Sequence, residues 1–163
     1  MNILRKRVFS LPIPYNIQNP SLGEYRFVTD RNLIYWVTFQ PLEFPNSGRL
    51  YSFAFFAEGD SNNSGTDDRI EATIVKILQD FWQDDSNVAL IVCETDQNSP
   101  KARMRLFNRW YRRAEMHNVI YRHDCQCEGD DLKIYSSLYY HRDNPLAKLF
   151  VEDFQLYIDA LKG

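Results

Sequence analysis

From Glu24 to Phe56 apolar and polar residues alternate at the two-residue period of half-buried strands. Tyr25, Phe27 and Thr29 share one side of a first segment, and Leu33, Tyr35, Val37 and Phe39 share one side of a second. Asp30-Arg31-Asn32 between them has the composition of a tight turn, so the two segments predict a hairpin. Beyond a loop from Pro41 to Gly48, Leu50, Ser52, Ala54 and Phe56 alternate with Tyr51, Phe53 and Phe55. A strand apolar on both faces predicts a central place in a sheet.

The period then lengthens. Ile70, Ile74, Ile77, Leu78 and Phe81 fall on one stripe of a helix running to about Gln83. Thr66 or Asp67 is positioned to cap it, and Asp67, Asp68 and Glu71 favour its positive end. Val88 to Cys93 is a continuous apolar run, which predicts a buried strand parallel to a neighbour. Asn98 or Ser99 caps a second helix with Pro100 in its first turn and Leu106, Phe107, Trp110 and Ala114 as its core stripe. Val119 to Cys127 and Leu132 to His141 predict a second hairpin across Glu128-Gly129-Asp130-Asp131. Asn144 and Pro145 open a last helix, with Leu146, Leu149, Phe150, Phe154, Tyr157 and Leu161 expected inward.

The order β-β-β-α-β-α-β-β-α predicts an α+β fold: a single mixed, mainly antiparallel sheet packed by three helices. Residues 24–163 form one domain in this reading. Residues 1–23 hold four prolines or glycines and little periodicity, which predicts an irregular arm that packs onto the domain or stays mobile.

Composition narrows the chemistry. Aromatic residues reach 15%, which suits sheets and contact surfaces, and the net charge of −3 leaves no overall field to attract nucleic acid. Any anion site must therefore be local. Cys93, Cys125 and Cys127 are too few and oddly spaced for a disulfide framework, and Cys125 and Cys127 with His123 lack the second half of a zinc site. No metal or other cofactor is expected. No phosphate-cradling glycine loop, nucleophile elbow or dinucleotide fingerprint is present. No apolar run has the length of a transmembrane helix, and the stretch from Met1 to Pro14 is too short and proline-broken for a signal peptide, so a cytoplasmic location is expected.

The helix from about Lys101 to Arg113 is the most distinctive segment. Arg105, Arg109 and Arg112 fall four and three residues apart and share a face away from the core stripe. Arginine forks there suit phosphate or carboxylate, while the ordinary alternative is a solvated face. Arg103 leans toward the core side, with Asp96 or Glu94 as a candidate partner, and Asp96 follows a buried strand, where sites gather in open α/β sheets. His141 is a candidate acid, base or ligand beside an ordinary helix start, and Tyr139 a candidate stacking residue.

Two resemblances follow. Tyr25-x-Phe27-x-Thr29-Asp30, Tyr35-x-Val37-x-Phe39, Asp68-Arg69-Ile70 with Thr73-Ile74, Arg105-Leu106-Phe107-x-Arg109-Trp110 and His141-x-x-Asn144-Pro145 resemble a small uncharacterised bacterial family of unknown function, over roughly residues 24–160. That resemblance implies a bacterial cytoplasmic protein and no activity. The element order also resembles the ribonuclease H-like fold. This implies a nuclease holding two divalent metals, Mg or Mn, with Asp30, Glu71, Asp96 and Asp153 as carboxylates and His141 ahead of the last helix. Asp30 departs from that pattern by sitting in a turn, as do Arg31 and Asn32 after it.

The leading expectation is a non-enzymatic binding or regulatory protein. Its contact surface is Arg105, Arg109 and Arg112, with Arg103 and Tyr139 alongside, and its partner an acidic protein or nucleic acid. The metal-dependent nuclease is the alternative, and it requires Asp30, Glu71 and Asp96 to meet.

Overall fold

The chain enters its sheet earlier than the alternation implies. In the computed structural model, which describes residues 11–43, 49–58, 67–93, 100–128 and 133–162, β1 (Gln18–Ser21) pairs antiparallel with β2 (Glu24–Val28). The end of the expected irregular arm is thus an edge strand. All four of its side chains are exposed, so no apolar alternation marks it in the sequence. The turn depends on Gly23, whose φ is +75° and whose place leaves no room for a side chain: a Cβ there would lie 2.5 Å from the Phe39 carbonyl oxygen. The Phe39 amide donates to the Gly23 carbonyl at 2.8 Å, tying the turn to the strand beyond.

β2 and β3 (Ile34–Leu42) form the predicted hairpin, with Phe27 opposite Tyr35 and Tyr25 opposite Val37. Asn32 takes the left-handed conformation, φ 61°, in a three-residue loop closed by the Thr29 amide donating to Leu33 O at 2.9 Å. β4 (Leu50–Ala57) follows antiparallel. The crossover helix α1 (Asp68–Phe81) then leads to β5 (Val88–Cys93), which lies parallel to β4 as its continuous apolar run predicts. After α2 (Pro100–Arg113) come a 3₁₀ turn at Met116–Asn118 and the second hairpin, β6 (Ile120–Glu128) with β7 (Lys133–His141). α3 (Ala147–Lys162) ends the chain. The seven strands run β1-β2-β3-β4-β5-β7-β6, with β4 central.

Strand alternation sends the core two ways. Phe27, Phe39, Phe53, Ala89, Ile91 and Tyr139 meet α1 and α2 on one face of the sheet. Leu50, Val88, Leu90 and Leu138 meet α3 on the other, through Phe150, Phe154 and Ile158. The α3 stripe therefore differs from expectation. The i, i+4 row 150-154-158 points inward, while Leu146, Leu149 and Tyr157 are 37%, 41% and 48% exposed. Helix α3 carries apolar residues around most of its girth, and only packing selects the buried row.

Tyr15, from the arm, closes the other side of α1. Its ring stacks on Phe27 at 6.0 Å, its amide donates to Thr73 Oγ1 at 2.9 Å, and its hydroxyl donates to Asp67 Oδ2 at 2.6 Å. Helix α1 is consequently buried from Ile70 through Val75. No helix among the described residues is long and apolar enough to cross a membrane.

Candidate functional site

Helix α1 begins where a short acidic residue meets free backbone amides: Asp67 has extended backbone and accepts from the Arg69 amide at 2.9 Å. One turn later Glu71 occupies an inward position. Its neighbours three, four and seven residues on are Ile74, Val75 and Leu78, all buried. Glu71 itself is 3% exposed. Arg113, at the end of α2, forms an ion pair with its Oε2 at 3.3 Å, while Oε1 has no hydrogen-bond partner. Burial pushes the Glu71 carboxyl above the usual glutamate range; Arg113 pulls it back, Asp68 pushes it up and Arg109 lowers it.

Around this pair the two helices and the sheet leave a cleft of about 300 Å³. Asp67, Asp68 and Glu71 contribute from α1, Leu106, Arg109, Trp110 and Arg113 from α2, and Tyr35 and Phe55 from the strands. The Phe55 and Trp110 rings lie 5.4 Å apart in tilted contact, giving the cleft an aromatic wall. Burial raises the Tyr35 hydroxyl pKa, with the nearby Asp67 charge acting in the same direction.

Arg105, Arg109 and Arg112 are exposed on the outer face of α2, as their spacing predicts, and form no ion pair among the described residues. Arg112 also borders a shallow groove with His117, Tyr121, Arg122 and Tyr140. Arg122 is structural: it pairs with Asp124 at 3.0 Å and donates to Asn108, linking β6 to α2. The expected contact of Arg103 with Asp96 or Glu94 lies outside the described residues.

Tyr139 requires correction as a contact residue. It is wholly buried, edge-on to Phe107 at 5.2 Å and Tyr111 at 5.6 Å, and burial raises its hydroxyl pKa strongly. Its strand position faces the helices, so the ring packs in the core and presents nothing to a partner.

The described carboxylates of the nuclease reading do not gather. Asp30 pairs with Arg69 at 3.1 Å, whereas Glu71 pairs with Arg113. Positions 69 and 71 are separated by about 200° around the helix, so these pairs lie on different flanks of α1. Asp153 belongs to α3, across the sheet from Glu71. His141 Nδ1 accepts from the Asp143 amide at 3.1 Å, in the turn that starts α3. Asp96 lies outside the described residues. Among those described, no three His, Cys, Asp or Glu side chains converge as metal ligands. Cys125 is a free thiol beside Gln155 Oε1, at 3.9 Å, and His123 packs edge-on to Phe154.

Arg113 was missing from the sequence candidates. Its available signal was spacing: it lies three residues after Trp110 and seven after Leu106, on the margin of the core stripe, where a cation meets a buried counter-charge. For Glu71 the signal was a charge in an apolar helical row.

The family described as "Family of unknown function (DUF6169)" matches residues 66–156, more than half of the 163-residue chain, and the chain belongs to it. The match begins at the start of α1 and ends within α3, so it contains every α1 and α2 residue of the cleft. No curated protein and no solved structure matches the chain.

Proposed function

We propose that this member of a family of unknown function is a non-enzymatic binding protein, docking an acidic segment of a partner protein on the outer face of α2. The observation that carries the reading is the row Arg105, Arg109 and Arg112, exposed and without ion pairs among the described residues, on a chain of net charge −3. Like charges four apart on a helix repel by a few tenths of a kcal/mol, and an acidic partner relieves that repulsion while accepting forked hydrogen bonds. The row spans about 10 Å of helix axis, the scale of a short acidic segment. The negative net charge disfavours the extended phosphate backbone of a nucleic acid. The free thiol at Cys125 suits a reducing, cytoplasmic setting.

The test compares proteins retained from native extract by the wild-type chain and by the Arg105→Glu/Arg109→Glu variant. At least one wild-type partner is expected to be lost from the variant, with retention weakening as salt rises. An identical set of retained proteins overturns the reading, as does retention that nuclease treatment abolishes.

A further inference from the structure

The cleft at Glu71 has chemistry that an acidic partner on the outer arginines does not use. Its α1 side offers acceptors, among them Glu71 Oε1, buried on a residue 3% exposed and without a hydrogen-bond partner. A buried acceptor left without a donor is costly, and an incoming N–H would satisfy it. Arg113 already holds the second oxygen at 3.3 Å, and Arg109 stands nearby. Arg113 and Arg109 offset the Glu71 charge, so a neutral N–H edge suffices at Oε1. Tyr35, Phe55 and Trp110 supply aromatic surface, on which a flat ring stacks without needing its own polar partners. Arg109 is exposed and forms no ion pair among the described residues, so the outer end of the cleft is equipped for an anion. A cleft of about 300 Å³ is at the small end of ligand sites.

We propose that the cleft between α1 and α2 binds a small flat nitrogen heterocycle whose N–H edge meets Glu71 and whose anionic substituent meets Arg109, the chemistry of a nucleoside monophosphate. The inference rests on Glu71 and the aromatic wall of the cleft, not on the protein partner. Arg109 serves both surfaces, but the readouts differ.

The experiment titrates the full chain with the four ribonucleoside monophosphates, the matching nucleosides and inorganic phosphate, followed by calorimetry and tryptophan fluorescence. At least one monophosphate binds saturably and changes the fluorescence; Trp110→Phe removes most of the fluorescence change. Glu71→Gln weakens nucleoside and monophosphate alike by about tenfold, the factor that charge assistance of one hydrogen bond supplies. Arg109→Ala weakens the monophosphate by about tenfold and leaves the nucleoside unchanged. Arg109 is exposed, so this arm stands even if the Glu71 variant fails to fold. The proposal is overturned if no compound binds by millimolar concentration. It is equally overturned if inorganic phosphate binds as tightly as the monophosphate, or if Arg109→Ala leaves the monophosphate unaffected.

Discussion

Glu71 sits where a helix would ordinarily place a leucine or valine, and its titration follows from that placement. Its folded pKa lies above the usual 4.5, so the folded chain holds this proton more tightly than the unfolded chain does. Between the two values the unfolded state binds fewer protons, and the Glu71 contribution to stability therefore falls as pH rises through that window. Glu71→Gln lacks this dependence. Urea unfolding of both proteins from pH 4.5 upward is expected to show the stability difference moving in favour of the glutamine variant; a pH-independent difference contradicts the assignment. Gly23 supplies a second residue-scale expectation. Gly23→Ala forces a left-handed backbone on a residue with a Cβ and drives that atom against Phe39 O, so a loss of at least about 1–2 kcal/mol is expected in chemical denaturation. The sequence announced the apolar row around Glu71 but not its counter-ion, because Arg113 reaches it across two helices. Tyr139 was misread for a related reason. A strand tyrosine is core or surface according to which face the helices cover, and alternation alone does not choose.

At the scale of elements, periodicity was most informative where one face is buried and the other wet. The β2–β3 hairpin shows it plainly: Phe27, Tyr35, Val37 and Phe39 alternate, and Asn32 takes the turn conformation that its amide side chain tolerates. β1 gave no such signal because its four side chains are all exposed. Helix α3 had the opposite difficulty, with too many apolar positions to identify the inward row. Its start was clearer. Asn144 Oδ1 accepts from the Leu146 amide at 2.9 Å and Pro145 follows, so Asn144→Ala is expected to cost about 1 kcal/mol in thermal or chemical unfolding. In the inward row, Phe154 is 2% exposed, and Phe154→Ala is expected to cost about 3–5 kcal/mol, whereas the same measurement on Leu156→Ala, at 68% exposure, should change little.

For the whole molecule, the fold class and the order of elements after β1 were legible because β5 is a continuous apolar run and therefore needs cover on both sides. The candidate site was legible only in pieces. Arg105, Arg109 and Arg112 were recognisable from spacing, but the cleft forms where α1, α2, β3 and β4 meet, and no local pattern encodes that meeting. Nor does any local pattern show that the sheet separates Glu71 from Asp153.

The position of β5 bears on how the molecule comes apart. All six of its residues are in register with β7, but only Val88, Ala89 and Leu90 are in register with β4. The sheet is thus two leaves sewn together unevenly, with the shorter seam on the β4 side. Successive β5 amides point alternately toward the two neighbours, so a single strand can report on both leaves. Under native conditions its β4-facing amides are expected to exchange with solvent faster than its β7-facing ones, as the β1–β4 leaf opens while β5 stays with β7. Equal protection along β5 would mean that the leaves open only together, and that the α1 crossover, rather than the ladder, holds the shorter seam closed.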